Sequence, residues 1–203
     1  GLAYFAEIPA VIWDIQRSGP STGMPTRTQQ GDLIGAAYAS HGDTKHPLLF
    51  PATPKECFDF AAQALDLADR LQTPIMVLSD LELGMNDNLS EPFEWDDSRR
   101  YDRGKVLSAT DLDAVEVFGR YLDVDGDGIG YRTYPGTHPE KGAFFTRGTS
   151  RDEFAVYTES GEVYQRNMER LQKKWQTART LVPAAEIADQ GQSVGVLYYG
   201  TTA

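Results

Sequence analysis

The spacing of hydrophobic and polar residues over the first 80 positions switches between strand-like and helix-like patterns. The β-rich run PAVIWDI (9–15) ends in a polar loop and predicts a strand. In QQGDLIGAAYASHG (29–42), apolar residues recur at helical spacing, which predicts a helix that stops at Gly42. HPLLFPA (46–52) indicates a short buried strand. The near-continuous apolar run TPIMVLSD (73–80) indicates a strand covered on both faces.

The segment TPKECFDFAAQALDLADRLQ (53–72) has the clearest helical pattern. Thr53 is expected to cap its N-terminus, with Pro54 at the first position and Glu56 completing a capping box. Its inward face should contain Phe58, Ala61, Ala62, Leu65 and Ala68. Strands alternating with helices over short connections predict an α/β fold, a parallel sheet with helices on both faces.

After residue 80 the periodicity weakens, and residues 81–159 are rich in Pro, Gly, Asp and aromatic residues. Such a long irregular stretch predicts an ordered arm or linker packed over a surface. Residues 160–182 predict a helix stopped by Pro183, and residues 193–199 predict the first strand of a second α/β domain. The inward face of that helix should contain Val163, Met168, Leu171, Trp175 and Ala178. Three parts are therefore expected: an incomplete α/β domain (1–80), the arm (81–159), and a helix with a strand (160–203).

Composition narrows the classes of function. The 203 residues have a net charge of −11 and a pI of about 4.7, which argues against binding to bare nucleic acid or to an anionic membrane. No apolar run approaches the roughly 20 residues that span a bilayer, and no signal peptide is recognisable. Cys57 is the single cysteine, so an internal disulfide and a multi-cysteine metal site are excluded and a cytoplasmic location is expected. Both chain ends are interpreted as cuts through a longer protein.

The loop that follows the first predicted strand combines small residues with two arginines. In VIWDIQRSGPSTGMPTRTQQGD (11–32), Gly19 and Gly23 allow backbone N–H groups to approach an anion, and Arg17 and Arg27 can bind a carboxylate with two parallel hydrogen bonds. Hydroxyl groups come from Thr22, Thr26 and Thr28. Because ligands gather at the carboxyl ends of parallel strands, a small carboxylate pocket is one interpretation. A solvated turn whose arginines pair with nearby acids is the other.

The segment DVDGDG has the spacing of the first part of a calcium-binding loop, with Asp123, Asp125 and Asp127 followed by Gly128. The twelfth position holds Tyr134 instead of a bidentate glutamate, so an acidic turn is favoured over a calcium site.

A second polar group, His41, Asp43 and His46, straddles the predicted helix end. A packed or capping histidine is favoured there over a metal or acid–base site. No glycine pattern of a serine-nucleophile turn and no nucleotide-binding glycine motif is present.

The loop DIQRSGPSTGMPTRTQQGDL (14–33) resembles the signature loop of the alpha subunit of 2-oxoacid:ferredoxin (acceptor) oxidoreductases, in particular the 2-oxoglutarate type. The resemblance extends over essentially the whole chain, through SHGDTKHPLLFPATPKECFDFA, TPIMVLSDLELGMN, GRYLDVDGDGIGYRTYPGTHPEKGAFFTRG and NMERLQKKWQTAR. Three positions depart from it. Ser18 and Gly31 stand where many members carry Gly and Ser, and Gln29 stands where Glu is frequent.

This resemblance implies a thiamine-diphosphate enzyme that decarboxylates a 2-oxoacid, transfers the acyl group to coenzyme A and passes two electrons to ferredoxin. It implies that Arg17 binds the C1 carboxylate and that Thr26 supports the substrate, with Arg27 as a weaker candidate for a second anion contact. The cofactor and its Mg²⁺ would be shared with a beta subunit that also carries the [4Fe–4S] cluster.

On this resemblance the chain contains no catalytic residue and no metal ligand, and its cofactor-binding residues are unknown. The glutamate that activates the cofactor would precede Gly1, since Glu7 lies in the wrong context. The fragment alone should therefore be inactive. Three alternatives stay open: a pyruvate or branched-chain 2-oxoacid enzyme, a non-catalytic assembly module of such a complex, and a calcium-dependent binding domain.

Overall fold

The computed structural model describes residues 1–41, 43–188 and 191–203. Its helices are α1 (Leu2–Ala6), α2 (Leu33–Ala37), α3 (Pro54–Leu71), α4 (Leu81–Met85), α5 (Ala109–Ala114) and α6 (Gly161–Ala178), and its strands are β1 (Ala10–Gln16), β2 (Leu48–Leu49) and β3 (Pro74–Asp80). The chain forms two compact units. The helix unit consists of residues 1–10, 66–73 and 102–181, and the sheet unit of residues 11–65, 74–101 and 182–203.

The sheet unit is built on a three-stranded parallel sheet in the order β1-β3-β2. β2 pairs with β3 in parallel register, Leu48 opposite Met76 and Leu49 opposite Val77. Every residue of β3 is buried, as its uninterrupted apolar sequence predicts for a central strand. Helix α2 packs on this sheet through Ala36, which contacts Met76 and Leu78. The predicted α/β fold with a parallel sheet is thus confirmed.

Helix α2 is shorter than the predicted helix 29–42. It begins after Asp32 and ends at Ala37, and Ser40 adopts a left-handed backbone with φ of 93°. That conformation is incompatible with a continuing helix. The predicted stop at Gly42 lies outside the described residues.

The predicted helix 53–72 is confirmed as α3, but its buried face is different. Thr53 Oγ1 accepts a hydrogen bond from the Glu56 N–H at 3.2 Å, and the Glu56 carboxylate accepts one from the Ala52 N–H at 2.6 Å. Ala68 is buried as predicted, Ala61 is exposed, and Phe58 and Ala62 are partly buried. The other buried residues are Ala64, Leu67 and Leu71. Leu65 is half exposed, because apolar residues on neighbouring faces of this helix leave the orientation of the stripe open in the sequence.

In the helix unit, the region predicted to be an irregular arm contains α5 and several tied turns. Ser108 and Asp111 form a reciprocal capping box at the start of α5. The end of α3 is held by side chains of this region: Arg132 Nη2 lies 2.8 Å from Asp69 Oδ1, and Gln72 Nε2 donates to the Gly130 carbonyl at 2.7 Å. Helices of one or two turns carry little periodicity, which explains why the sequence pattern missed α4 and α5.

The predicted helix 160–182 is confirmed as α6, but its inner face is partly charged. Leu171 and Ala178 are buried as predicted, whereas Val163, Met168 and Trp175 are only partly buried. The inner face also carries the buried polar residues Asn167, Arg170 and Lys174. Asn167 donates to the Arg151 carbonyl. Arg170 and Lys174 are buried next to a carboxylate inside the helix unit, because a buried charge needs oppositely charged partners.

That carboxylate belongs to Glu7. Lys174 Nζ lies 2.8 Å from Glu7 Oε2, Arg170 forms hydrogen bonds to both carboxylate oxygens, and Arg151 Nη2 lies 3.4 Å from Oε1. We call these four residues the Glu7 cluster. Burial alone would raise the pKa of Glu7, but the adjacent cations hold it well below its usual range.

The predicted strand 193–199 is wrong for the part of the chain that the structure describes. Val194, Val196 and Leu197 are at least 79% exposed, and no strand among the described residues pairs with this segment. A β-rich sequence forms a strand only where a neighbour completes its hydrogen bonds. The segment instead leads into a 3₁₀ turn at Gly200–Thr202. The predicted parts 1–80, 81–159 and 160–203 have other boundaries than the two compact units. This division into domains stays a prediction.

Candidate functional site

Gln16, the last residue of β1, anchors the loop predicted to bind a carboxylate. Its side chain is 1% exposed and uses both ends of its amide. Nε2 donates to the Ser79 carbonyl of β3 at 3.3 Å, and Oε1 accepts from the Asp32 N–H at 3.2 Å. Both ends of the loop 17–31 are therefore fixed relative to the central strand.

Within the loop, backbone hydrogen bonds close a tight turn. The Ser18 N–H donates to the Arg27 carbonyl at 2.9 Å, and the Met24 N–H donates to the Ser18 carbonyl at 3.1 Å. Gly23 has φ of +49°, and a Cβ there would collide with the Ser18 carbonyl oxygen. Glycine is required at this position on both grounds.

A cavity of about 510 Å³ opens beside this turn. Its lining consists of Asp14, Ile15, Arg17, Gly19, Pro20, Ser21, Gln29, Gly31 and Asp32. Arg17 is exposed, and within residues 1–41, 43–188 and 191–203 its guanidinium has no hydrogen-bond or ion-pair partner. In the described part of the chain, Arg17 therefore does not pair with a neighbouring acid, although the alternative interpretation of a solvated turn predicts such a pair.

Arg17 shares the cavity with two carboxylates. Burial, and secondly the charge of Asp32, raise the pKa of Asp14. Neither acid lies within ion-pair distance of Arg17 in the described part of the chain. The Arg17 guanidinium is thus available to a ligand anion. The carboxylates of Asp14 and Asp32 repel anions and so limit how much negative charge a ligand can bring into the cavity.

Thr26 and Arg27 occupy a different place from Arg17. Arg27 Nη1 donates to both the carbonyl and the hydroxyl of Thr26, each at 3.0 Å. Both residues are exposed, and neither belongs to the cavity lining given above. The proposed roles of Arg17 and Thr26 in substrate binding stay predictions, and the structure brings only Arg17 to the cavity.

Gln30 and Asp80 form a second anchor that the sequence patterns did not reveal. Asp80, at the end of β3, is 2% exposed and accepts hydrogen bonds from Gln30 Nε2 at 3.3 Å and Thr201 Oγ1 at 2.5 Å. Gln30 Nε2 also donates to the Tyr199 carbonyl at 3.0 Å. These bonds hold the backbone between Gln29 and Gly31, two cavity residues. In the sequence, the one indication of this anchor is the acidic residue Asp80 at the end of an apolar run.

Within the described part of the chain, the histidine group predicted from the sequence forms no metal site. His46 is buried, its N–H donates to the Ala37 carbonyl at 3.0 Å, and burial lowers the pKa of its imidazole. His41 is exposed. Burial raises the pKa of the Cys57 thiol. Among the described residues, no group of three or more His, Cys, Asp or Glu side chains could hold a metal ion.

The acidic turn at 123–128 is occupied by cations of the chain itself. Lys105 Nζ lies 2.6 Å from Asp125 Oδ2 and 2.8 Å from Asp127 Oδ1, and Lys173 Nζ lies 3.0 Å from Asp123 Oδ2. The same aspartates accept backbone N–H groups, from Gly128 and Ile129. This geometry is that of an acidic turn.

No helix in the described parts of the chain is long and apolar enough to cross a membrane.

Comparison with known proteins extends this picture. The alpha subunit of 2-oxoacid:ferredoxin oxidoreductase 2 of Aeropyrum pernix is 32% identical over 206 residues, covering 99% of this chain and 31% of that protein. The 2-oxoglutarate synthase subunit KorA of Methanocaldococcus jannaschii is 33% identical over 154 residues, covering 69% of this chain and 41% of that protein. This chain therefore spans less than half the length of these relatives.

A solved structure shares the fold. It is that of the 2-oxoglutarate:ferredoxin oxidoreductase from Magnetococcus marinus with 2-oxoglutarate, coenzyme A and succinyl-CoA bound. The TM-score is 0.76 at 26% identity, over 91% of this chain and 31% of that one.

The family model described as pyruvate flavodoxin/ferredoxin oxidoreductase, thiamine diP-bdg, matches residues 1–110, more than half of the chain. This range takes in the sheet, the loop after β1 and all of the residues that line the cavity. We conclude that the chain belongs to the family of pyruvate flavodoxin/ferredoxin oxidoreductase domains that bind thiamine diphosphate.

Proposed function

We propose that this chain is part of the alpha subunit of a thiamine-diphosphate-dependent 2-oxoacid:ferredoxin oxidoreductase, with 2-oxoglutarate as the substrate. The C1 carboxylate of the 2-oxoacid leaves as CO₂, and the acyl group is transferred to the thiol of coenzyme A. Two electrons pass to ferredoxin and one proton is released. The support comes from the family membership and from the names of the relatives.

The single observation that carries the substrate site is the guanidinium of Arg17 in the cavity beside the end of β1, which has no partner among the residues that the structure describes. A 2-oxoacid is an anion at neutral pH, and a planar guanidinium binds a carboxylate through two parallel hydrogen bonds. A cation at this place would orient the substrate and strengthen its binding. Thr26 belongs to the same loop, and its hydroxyl oxygen accepts a hydrogen bond from Arg27. Its O–H could still donate to a ligand carboxylate.

The proposal also includes a cofactor and partner subunits. When bound, thiamine diphosphate would supply the nucleophilic carbon of the reaction. The exposed glycine-rich turn and open cavity of the chain fit a site next to that cofactor. The proposed partners are a beta subunit that shares the cofactor and its Mg²⁺ and carries the [4Fe–4S] cluster, and ferredoxin. A cytoplasmic location is proposed with them, as fits a chain with one cysteine.

The test is steady-state kinetics of the complete enzyme, alpha and beta subunits together, against 2-oxoglutarate, pyruvate and a branched-chain 2-oxoacid. We expect Arg17→Lys to raise KM about 10-fold or more, because lysine cannot reproduce the paired hydrogen bonds. Arg100→Lys is the matched control, an exposed arginine of the same unit that does not belong to the cavity lining. Full activity of an Arg17→Ala variant would support the assembly-module alternative, and lack of turnover with every 2-oxoacid would disprove the enzyme assignment.

A further inference from the structure

The charges of the cavity are unequal. One guanidinium, from Arg17, faces two carboxylates, from Asp14 and Asp32, and these three are the ionisable side chains of the lining. None of them forms an ion pair with another in the parts of the chain that are described. When both acids are ionised the lining has one net negative charge. Among the described residues, the lining contains one cation, Arg17, that can bind an anionic group.

The two carboxylates stand on fixed backbone. Asp14 lies within β1, and the Asp32 N–H is held by Gln16 Oε1 at 3.2 Å. Their Cα positions are therefore held at the cavity, and their charges act on whatever enters it. Two like charges about 8 Å apart repel each other by roughly 0.5 kcal/mol in water and by roughly 2 kcal/mol near a protein surface.

We propose that Asp14 and Asp32 set the charge preference of this cavity by disfavouring a second anionic group beside the carboxylate that Arg17 binds. This inference rests on the proposed function. A 2-oxoacid with an uncharged distal end meets no repulsion from the lining. The distal carboxylate of 2-oxoglutarate is repelled by Asp14 and Asp32. To be bound, this carboxylate requires a cation from outside the cavity lining.

Gln29 is the third member of this charge balance. It lines the same cavity with a neutral amide. A glutamate there would add a third carboxylate. Changing the charge at three positions, two by removal and one by addition, therefore makes predictions of opposite sign that a general loss of folding does not imitate.

The experiment measures kcat/KM of the complete alpha–beta enzyme for 2-oxoglutarate, a dianion, and for 2-oxobutyrate, a monoanion. Taking the ratio of the two values cancels effects on the cofactor, on coenzyme A and on electron transfer. We expect Asp14→Asn and Asp32→Asn each to raise the ratio of dianion to monoanion about 3- to 10-fold, and Gln29→Glu to lower it by a similar factor. Both effects should shrink at high salt concentration.

Asp87→Asn is the matched control, because it removes one carboxylate from the same unit at an exposed position outside the cavity lining. Its ratio should stay at the wild-type value, and thermal melts should show that all variants are folded. The inference is overturned if the wild-type enzyme turns over a 2-oxoacid but the ratio stays within twofold of wild type in all three cavity variants. If the wild-type enzyme turns over no 2-oxoacid, the proposed function fails and takes the inference with it.

Discussion

At the scale of single residues, Glu7 shows how strongly one buried group determines its surroundings. The carboxylate is inaccessible to water and has Arg170 and Lys174 at hydrogen-bond distance, with Arg151 close by. Removing one partner from such a cluster leaves buried charge without compensation, which costs more than the cluster itself contributes.

We therefore expect Glu7→Gln to destabilise the protein by about 3 to 5 kcal/mol and to lower its melting temperature by about 10 °C. Glu116→Gln, an exposed glutamate of the same unit, should change the melt by less than about 2 °C. Adding Lys174→Met to Glu7→Gln should restore part of the loss, because the double variant buries one cation fewer. Strictly additive effects would contradict the coupling.

Lys174 should make stability depend on pH. Burial, together with the charge of Arg170, lowers its pKa to about 8, against the opposing effect of Glu7. The unfolded chain, with an ordinary lysine near 10.5, then binds more protons between pH 8 and 10.5 than the folded one. Over this range the folded state gains up to about 1.4 kcal/mol per pH unit from this group as the pH rises.

Denaturant unfolding at several pH values from 7.5 to 10 checks this. Wild-type protein should gain stability relative to Lys174→Met above pH 8, and Lys173→Met, which alters the half-exposed neighbour paired with Asp123, should keep the wild-type slope. Parallel curves for wild type and Lys174→Met would show that Lys174 has no depressed pKa.

At the scale of elements, the loop after β1 depends on a tie to the central strand. Gln16 joins the Ser79 carbonyl to the Asp32 N–H, and both are left without this partner when the amide is lost. We expect Gln16→Met to cost about 2 kcal/mol in stability and to raise KM for the 2-oxoacid several-fold, since Arg17 is the next residue. Gln165→Met, which loses an exposed bond to Glu169, should leave both values unchanged.

The Gln16 prediction would be contradicted by a variant with the wild-type melt and the wild-type KM. A rise in KM with unchanged stability would still indicate that the tie positions the loop.

The turn at 123–128 gives an element-scale prediction of the opposite kind. Because the ammonium group of Lys105 already lies between Asp125 and Asp127, calcium has to displace a bound cation. Calorimetric titration of the complete protein with millimolar calcium should therefore produce no binding heat. Stoichiometric binding would revive the calcium-dependent alternative.

At the scale of the whole molecule, the sequence was most informative where hydrophobic residues follow a regular pattern. The runs that became β1, β3, α3 and α6 have regular spacing or uninterrupted hydrophobicity, and each was predicted. The polar contacts were not predictable in the same way. Gln16, Gln30 and Asp80 have side chains that periodicity assigns to the surface, and only the folded backbone brings them together.

The candidate site divides along the same line. The motif around Arg17 could be recognised from residue types and resemblance, because glycine and arginine at the end of a strand have a physical meaning of their own. Two features depend on loop geometry, which sequence spacing does not determine: Arg27 donates to Thr26, and Asp14 and Asp32 share the cavity. Helix α6 was likewise predicted at the correct residues, but the charged residues on its inner face were not predicted.

The division of the chain into two units has a practical consequence for protein engineering. Unit membership changes after residues 10, 65, 73, 101 and 181, so neither unit is one uninterrupted stretch of sequence. A chimera with a related enzyme that recombines at a single point, such as the end of β3, would therefore mix parental sequence inside both units at once. Grafting one intact unit requires a junction at every one of these positions, and a library of variants for altered substrate preference is better made by exchanging the 17–31 loop within one parental background.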